Sequence, residues 1–260
     1  MLYKIIICVL AGLGAGIGTG FAGMSAAVVI SPMLIAFLNI PAYEAVGIAL
    51  ASDVLASAVS AVTYARNKNL DIKDGLIMMI TILAFTLFGS WVGKFVPSST
   101  LGNLSFLTSF LIGLKFLIWP DKKTKENMAQ KTKKRRILES LFSGIYIGFV
   151  CGFMGAGGGL MMLFVLTTIL GYELKTAVGT SVFIMTFSAL FGAVGHFAIG
   201  GMPDIWVLVV CAVSTLIFAY VGSKIANKLS VKVLNLVTGI FLVVLGVIML
   251  AFRIYQKTIF

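Results

Sequence analysis

The sequence predicts an all-α integral membrane protein built from two related halves, each a glycine-broken re-entrant segment followed by three transmembrane helices. Three observations predict it: long apolar stretches that recur along the whole chain, one basic stretch near its middle, and a glycine pattern that occurs twice.

Of the 260 residues, 60% are hydrophobic and only 11% are charged, too little polar surface for a soluble domain of this length. Stretches 76–95, 104–119, 206–225 and 233–252 are nearly all apolar, and each approaches the ~20 residues that cross a ~30 Å hydrocarbon core. Such stretches recur to the C-terminus, so a cleavable leader does not account for them. The net charge of +11 is local: eight of the twenty Lys and Arg lie between Asp121 and Ile137. A basic loop between apolar spans belongs on the cytoplasmic side. Residues 121–136 are therefore expected to be a cytoplasmic linker joining membrane repeats 1–120 and 137–260 of a multi-pass cell-membrane protein. The lipid bilayer, not nucleic acid, is the partner this charge implies.

Cys8, Cys151 and Cys211 lie far apart in the sequence, His196 is the only histidine, and no Cys-x-x-Cys is present. No metal site is expected. The twelve methionines lack regular spacing and read as packing residues. A Walker-type phosphate loop is missing from the sequence, and no cofactor is expected.

A shift of 132 residues lays Gly12, Gly16, Gly20 and Gly23 over Gly144, Gly148, Gly152 and Gly155, and Ala45-Val46-Gly47 over Ala177-Val178-Gly179. With a one-residue slip, Asp71 lies over Asp204. Each half reads as a glycine-rich first segment, a small-residue second segment, a polar loop with an acid, and two plain apolar helices. This is the order expected of a duplicated transporter fold.

The first segments, Ile5 to Leu38 and Ile137 to Leu170, are each 34 residues long. As one helix either would measure ~50 Å, longer than the hydrocarbon core by ~20 Å, so each must break. The glycines mark the places: Gly20 to Gly23 in the first half and Gly152 to Gly159 in the second. The upstream glycines, four residues apart, read instead as close-packing seams. Loop 66–74 carries Arg66, Lys68 and Lys73, whereas its counterpart 198–204 has no basic residue. In the second half Lys224, Lys228 and Lys232 flank the next loop instead. That exchange fits halves inserted in opposite senses, each beginning with a re-entrant hairpin.

Four stretches carry a resemblance to a known family. They are Gly20-Phe21-Ala22-Gly23-Met24-Ser25, the run from Gly152 to Gly159, Ala177-Val178-Gly179-Thr180-Ser181, and Tyr64-Ala65-Arg66 with Leu70-Asp71. Taken together, over essentially the whole chain, these stretches resemble the sulfite exporter TauE/SafE family of membrane transporters. The resemblance implies transport of sulfite, a sulfonate or a related organosulfur anion. The first half departs from the pattern, with Ile48-Ala49 where the second half has Thr180-Ser181, so the second half is expected to supply more of the solute contacts.

The residues suggest how such a solute is held. Helices restarting near Met24-Ser25 and Gly157-Gly158 present unpaired N–H groups and the positive end of the helix dipole, which accept an anion without a lysine. Gly23, Met24, Ser25, Gly157, Gly158, Gly159, Thr180 and Ser181 are the candidate solute-binding residues, near the bilayer midplane. The hydroxyls are donors whose alternative role is a bond to a local helix carbonyl, and that alternative is favoured for Ser25. Ser52, Ser57 and Ser60 read as small packing residues.

Asp53 falls mid-span, where a carboxylate costs roughly 2.5–3.5 kcal/mol on insertion scales. A bare carboxylate repels an anion, so Asp53 either is protonated and couples transport to protons, which is the preferred reading, or holds a cation such as Na⁺, or lies away from the solute. Its other reading is a carboxyl satisfied by neighbouring hydroxyls or a helix end. His196, which aligns with Tyr64, is the second candidate for ion coupling. For both His196 and Tyr64 an interfacial polar tip is the other reading. The competing function is a cation carrier built around Asp53. An enzyme is not expected, because Asp53 has no histidine or cysteine partner in its own segment. The sequence leaves open whether the chain forms a homo-oligomer.

Overall fold

The computed structural model describes residues 2–93, 107, 110–119, 132–154 and 158–259, and all regular structure among them is helical. Helix α1 spans Leu2–Ala22 and α2 spans Ala27–Leu38. Then come α3 (Ala42–Arg66), α4 (Ile72–Gly93) and α5 (110–118). The second half holds α6 (Lys133–Met154), α7 (Gly158–Thr168), α8 (Leu174–Gly200), α9 (Ile205–Lys228) and α10 (Val231–Ile259). Among the described residues α1, α3, α4, α8, α9 and α10 are long and apolar enough to cross a membrane, whereas α2 is a shorter apolar helix of 12 residues. Large apolar side chains such as Leu87, Trp91 and Phe191 face outward, as a hydrocarbon surround requires.

The first glycine-rich segment is broken where its glycines place the break. Gly23 adopts φ +60°, open to glycine at little cost, and its N–H bonds the Thr19 carbonyl at 3.0 Å. The chain then turns back. Tyr3 Oη, in the first turn of α1, donates to the Phe37 carbonyl near the end of α2 at 3.3 Å, so the two limbs form a hairpin that begins and ends at one end of the bundle. In the second half α6 ends at Met154 and α7 begins at Gly158; residues 155–157 lie outside the described residues.

Side-chain contacts sort the helix ends into two faces. At one, Lys4 of α1 lies 3.9 Å from Asp204, and the Asp204 N–H donates to Glu44 Oε1 at 2.8 Å. The starts of α1, α3 and α9 therefore share this face. At the other, Arg136 of α6 binds Asp71 and Asp74 ahead of and within α4, each at 2.7 Å, and Tyr172, between α7 and α8, donates to the same carboxylates. The starts of α4, α6 and α8 share that opposite face.

Helices pack across the halves as much as within them. Helix α1 lies along α9, α6 lies along α4, and α3 crosses α8. Glycines set the closeness of the first two pairs. A Cβ at Gly12 would stand 2.5 Å from Ser214 Cβ, one at Gly16 2.6 Å from the Thr215 carbonyl, and one at Gly20 2.7 Å from Ser223 N. On α6, a Cβ at Gly144 would collide with Thr81, and one at Gly148 would stand 2.6 Å from the Ile82 carbonyl. These are the close-packing seams that the four-residue spacing implies, with backbone against backbone. The surroundings of Gly152 lie outside what is described.

At Gly16 and Gly148 the nearest atoms in the way belong to the backbone, so the seam cannot give there by rotamer change. Gly16→Ala and Gly148→Ala are each expected to lower stability by about 1–3 kcal/mol in a detergent–SDS unfolding titration. Gly195→Ala, where a Cβ would meet nothing within 4 Å, should be neutral or gain up to about 1 kcal/mol from helix propensity.

Candidate functional site

The two breaks face each other. A Cβ on Gly159, the second residue of α7, would lie 2.8 Å from the Ser25 N and 3.1 Å from the Gly23 carbonyl oxygen. The start of α7 therefore touches the turn that leads into α2. From α8, Ser181 Oγ donates to the same Gly23 carbonyl at 2.9 Å, and Met185 Sδ lies beside Gly159. Carbonyls freed by a broken helix need a partner inside the membrane, and Ser181 supplies one from the other half.

Asp53 completes this cluster from α3. Ser25 Oγ donates to its Oδ2 at 2.7 Å and Ser57 Oγ to its Oδ1 at 2.9 Å. The Ala27 N–H, in the first turn of α2, donates to Ser25 Oγ at 3.3 Å. The carboxyl is 1% exposed and stands at the N-terminal, positive end of α2, the position where a negative charge is best tolerated. Along the same face of α3, Ser60 is buried with no protein partner for its hydroxyl, and the buried Tyr64 donates to the Gly20 carbonyl at 2.8 Å.

Gly23, Met24, Ser25, Gly159, Ser181 and Asp53 thus converge. Gly158 opens α7, one residue away, and Gly157 lies outside the described residues. Thr180 does not point into the cluster's hydrogen bonds; its Oγ1 accepts the Asp71 N–H at 3.2 Å. His196 is remote from Asp53, near the Asp204 face, where Nδ1 donates to the Tyr43 carbonyl at 3.2 Å and its ring lies 4.3 Å from the Tyr43 ring. The interfacial reading suits His196.

Three readings need correction. Tyr64 is not an interfacial tip but a buried donor, because α1 packs over it. Ser25 bonds no local carbonyl, because the turn after Gly23 aims it at Asp53. Ser57 is more than packing, since it lies one helical turn from Asp53 and holds the second carboxyl oxygen. Among the described residues, the first half contributes the carboxyl and more of the hydroxyls of this cluster.

Sequence reasoning also missed the ion cluster on the other face. Arg136 looks like one more cation of the basic linker. It is instead fixed between Asp71 and Asp74, with Tyr172 beside them. Burial first, and the two carboxylates next, push the Tyr172 phenol above its ordinary range, so it remains a donor. The cluster joins the starts of α4 and α6 to the loop before α8, and the Asp71 N–H leads from it to Thr180.

This geometry belongs to a chain with clear relatives. Residues 8–249 match the family model described as Sulfite exporter TauE/SafE. The chain belongs to that family. TauE/SafE proteins are membrane transporters, not enzymes, and the chain is a multi-pass member with six candidate spans among its described residues. It is 29% identical to the probable membrane transporter protein YdhB of Bacillus subtilis, over 87% of this chain and 91% of that one. It is 27% identical to YunE of the same organism, also named a probable membrane transporter, over 93% and 95% of the two chains. A third relative, the probable membrane transporter MJ0441 of Methanocaldococcus jannaschii, is 26% identical over 79% and 78%. In this TauE/SafE chain the best-conditioned polar contacts are the Asp53 cluster and the Arg136 cluster.

Removing the Arg136 cation strands two carboxylates, one of them, Asp74, only 5% exposed. Arg136→Gln is expected to cost about 1–3 kcal/mol in the same unfolding titration. Adding Asp74→Asn to Arg136→Gln should recover part of that loss.

Proposed function

We propose that this chain is a secondary transporter of a small sulfur oxyanion, sulfite or a sulfonate, bound where the two helix breaks meet and coupled to a proton on Asp53. The observation that carries this reading is the position of Asp53 at the start of α2, bonded to Ser25 beside the first break. The N–H groups and dipole at that helix start attract negative charge. An ionised Asp53 takes up that attraction itself and repels a second anion; a protonated Asp53 releases it to the solute. Anion and proton then travel in the same direction. The buried face of α3 from Asp53 through Ser57 and Ser60 to Tyr64 supplies a polar route for the proton toward the Arg136 face.

Binding further requires that Ser181 exchange its bond to the Gly23 carbonyl for one to the solute, with Gly23, Met24, Gly157, Gly158 and Gly159 lining the approach by backbone. Thr180, bonded to the Asp71 N–H, is placed to report the state of the site to the ion cluster. His196 has no part in this scheme.

The two membrane units, 1–120 and 137–260, are in this reading an inverted repeat. Three contacts support it, because each recurs in the other half at the shifted position. Gly12 meets Ser214 as Gly144 meets Thr81, Gly16 meets Thr215 as Gly148 meets Ile82, and Gly47 meets His196 as Gly179 meets Tyr64. The starts of α1 and α6 lie on opposite faces, as inversion requires. The Arg136 face, next to linker 121–136, is the cytoplasmic one by the positive-inside rule, in the cell membrane.

A second reading has an observation of its own. Two carboxylate oxygens, two serine hydroxyls and the Gly23 carbonyl gather at one place, an all-oxygen set that suits Na⁺ or a proton as cargo. Competition separates the readings. In proteoliposomes, uptake of labelled sulfite should rise with an imposed inward proton gradient and fall with excess unlabelled sulfite or sulfonate. Asp53→Asn, neutral at every pH, should retain exchange while losing its response to the gradient. Sodium or proton flux that ignores excess sulfite would favour the cation carrier, and gradient-driven sulfite uptake by Asp53→Asn would remove that residue from coupling.

A further inference from the structure

Cys8 and Cys211 are separated by most of the chain, yet the fold brings them together. Cys8 is one turn before Gly12 on α1, and Cys211 lies just before the Ser214 and Thr215 that Gly12 meets on α9. The two helices run side by side in the same direction there, with glycine seams that hold their backbones close. Both thiols are buried, at 1% and 0% exposure, and the register that sets Gly12 against Thr215, Gly16 against Ala219 and Gly20 against Ser223 sets Cys8, one turn earlier, beside Cys211. Cys8 also lines a cavity of about 400 Å³ near the Asp204 face, together with Lys4, Asp204 and Trp206. A small reagent entering from that face meets Cys8 first.

We infer that Cys8 and Cys211 are a redox pair that closes to an intramolecular disulfide between α1 and α9. Cysteines in register on parallel helices whose backbones pack this closely suit the short Cα–Cα separation that a disulfide needs. The oxidant is a small two-electron acceptor such as a hydroperoxide or an azo compound. Both S–H bonds lose their protons, one S–S bond forms, and the two electrons and two protons pass to the oxidant. A hydroperoxide yields water and an alcohol, and an azo compound yields its hydrazine. The resulting bond ties the first helix of the chain to the next-to-last, closing a very long loop, the case in which cross-linking restrains the unfolded chain most. None of this depends on which solute is carried.

The test uses full-length protein with Cys151→Ser, which leaves only Cys8 and Cys211 of the three cysteines. After treatment with diamide in detergent and in liposomes, the chain is denatured in SDS and its thiols are counted by maleimide-polymer shift. Two reactive thiols should become none, return with dithiothreitol, and be unaffected in number when either Cys8→Ala or Cys211→Ala is present. SDS-induced unfolding of the oxidised chain should slow by about tenfold or more. Should Cys151→Ser fail to fold, peptide mapping of oxidised wild-type protein reads the same bond as a linked Cys8–Cys211 peptide. Two thiols that persist under oxidant sufficient to close a control dithiol, or a bond formed only between separate chains, would overturn the inference.

Discussion

A helix that stops inside hydrocarbon leaves amide and carbonyl groups that no water can satisfy, and the rest of this architecture answers that constraint. At Gly23 the chain reverses with its N–H bonded to Thr19, its carbonyl bonded to Ser181, and the first-turn Ala27 N–H of the next helix bonded to Ser25, which in turn donates to Asp53. Partners come from α1, α3 and α8, so the break is stable only when those three helices are correctly packed. The irregular backbone is therefore a product of tertiary structure, and the polar groups gathered to support it are those the proposed function assigns to the solute.

The same logic explains why charge is so unevenly used. Cations are kept at the helix ends, where Arg136 and Lys4 meet acids at opposite faces. The interior relies on hydroxyls, backbone dipoles and one carboxyl. In the proposed anion site, a lysine at the breaks would bind more tightly, but it would also have to be desolvated on every cycle. Backbone N–H groups attract an oxyanion with little desolvation cost and without a titration of their own.

How much of this was legible in the sequence depended on whether the signal was local. The break at Gly23 and the seam glycines could be read directly, because glycine's lack of a side chain has the same meaning in any membrane context. Asp53 stood out because its burial is expensive wherever it lies. The partners were not legible. Ser25 and Ser57 look like every other small hydroxyl of a membrane helix, and only the turn geometry after Gly23 directs the first at Asp53. Tyr64 looks interfacial until α1 is laid across it. Arg136 is one of eight similar cations by position, and its pairing with Asp71 and Asp74 depends on α6 lying along α4. Cys8 and Cys211 meet for the same kind of reason. Contacts between α1 and α9, or α4 and α6, join positions whose distance along the chain conceals them, and no local pattern announces which helix lies beside which.

The pairing of α1 with α9 has a consequence for biosynthesis. Helix α1 leaves the ribosome long before α9, the helix it packs against most closely. During the interval its three seam glycines, Gly12, Gly16 and Gly20, are without the backbone they are shaped to meet, and lipid tails or an insertion factor must shield them. Neither half can fill its own groove, so a truncated product has nowhere stable to settle. Maturation in the bilayer is complete only when the late helix slides in beside the early one, which makes quality control sensitive to α9 even for defects in α1.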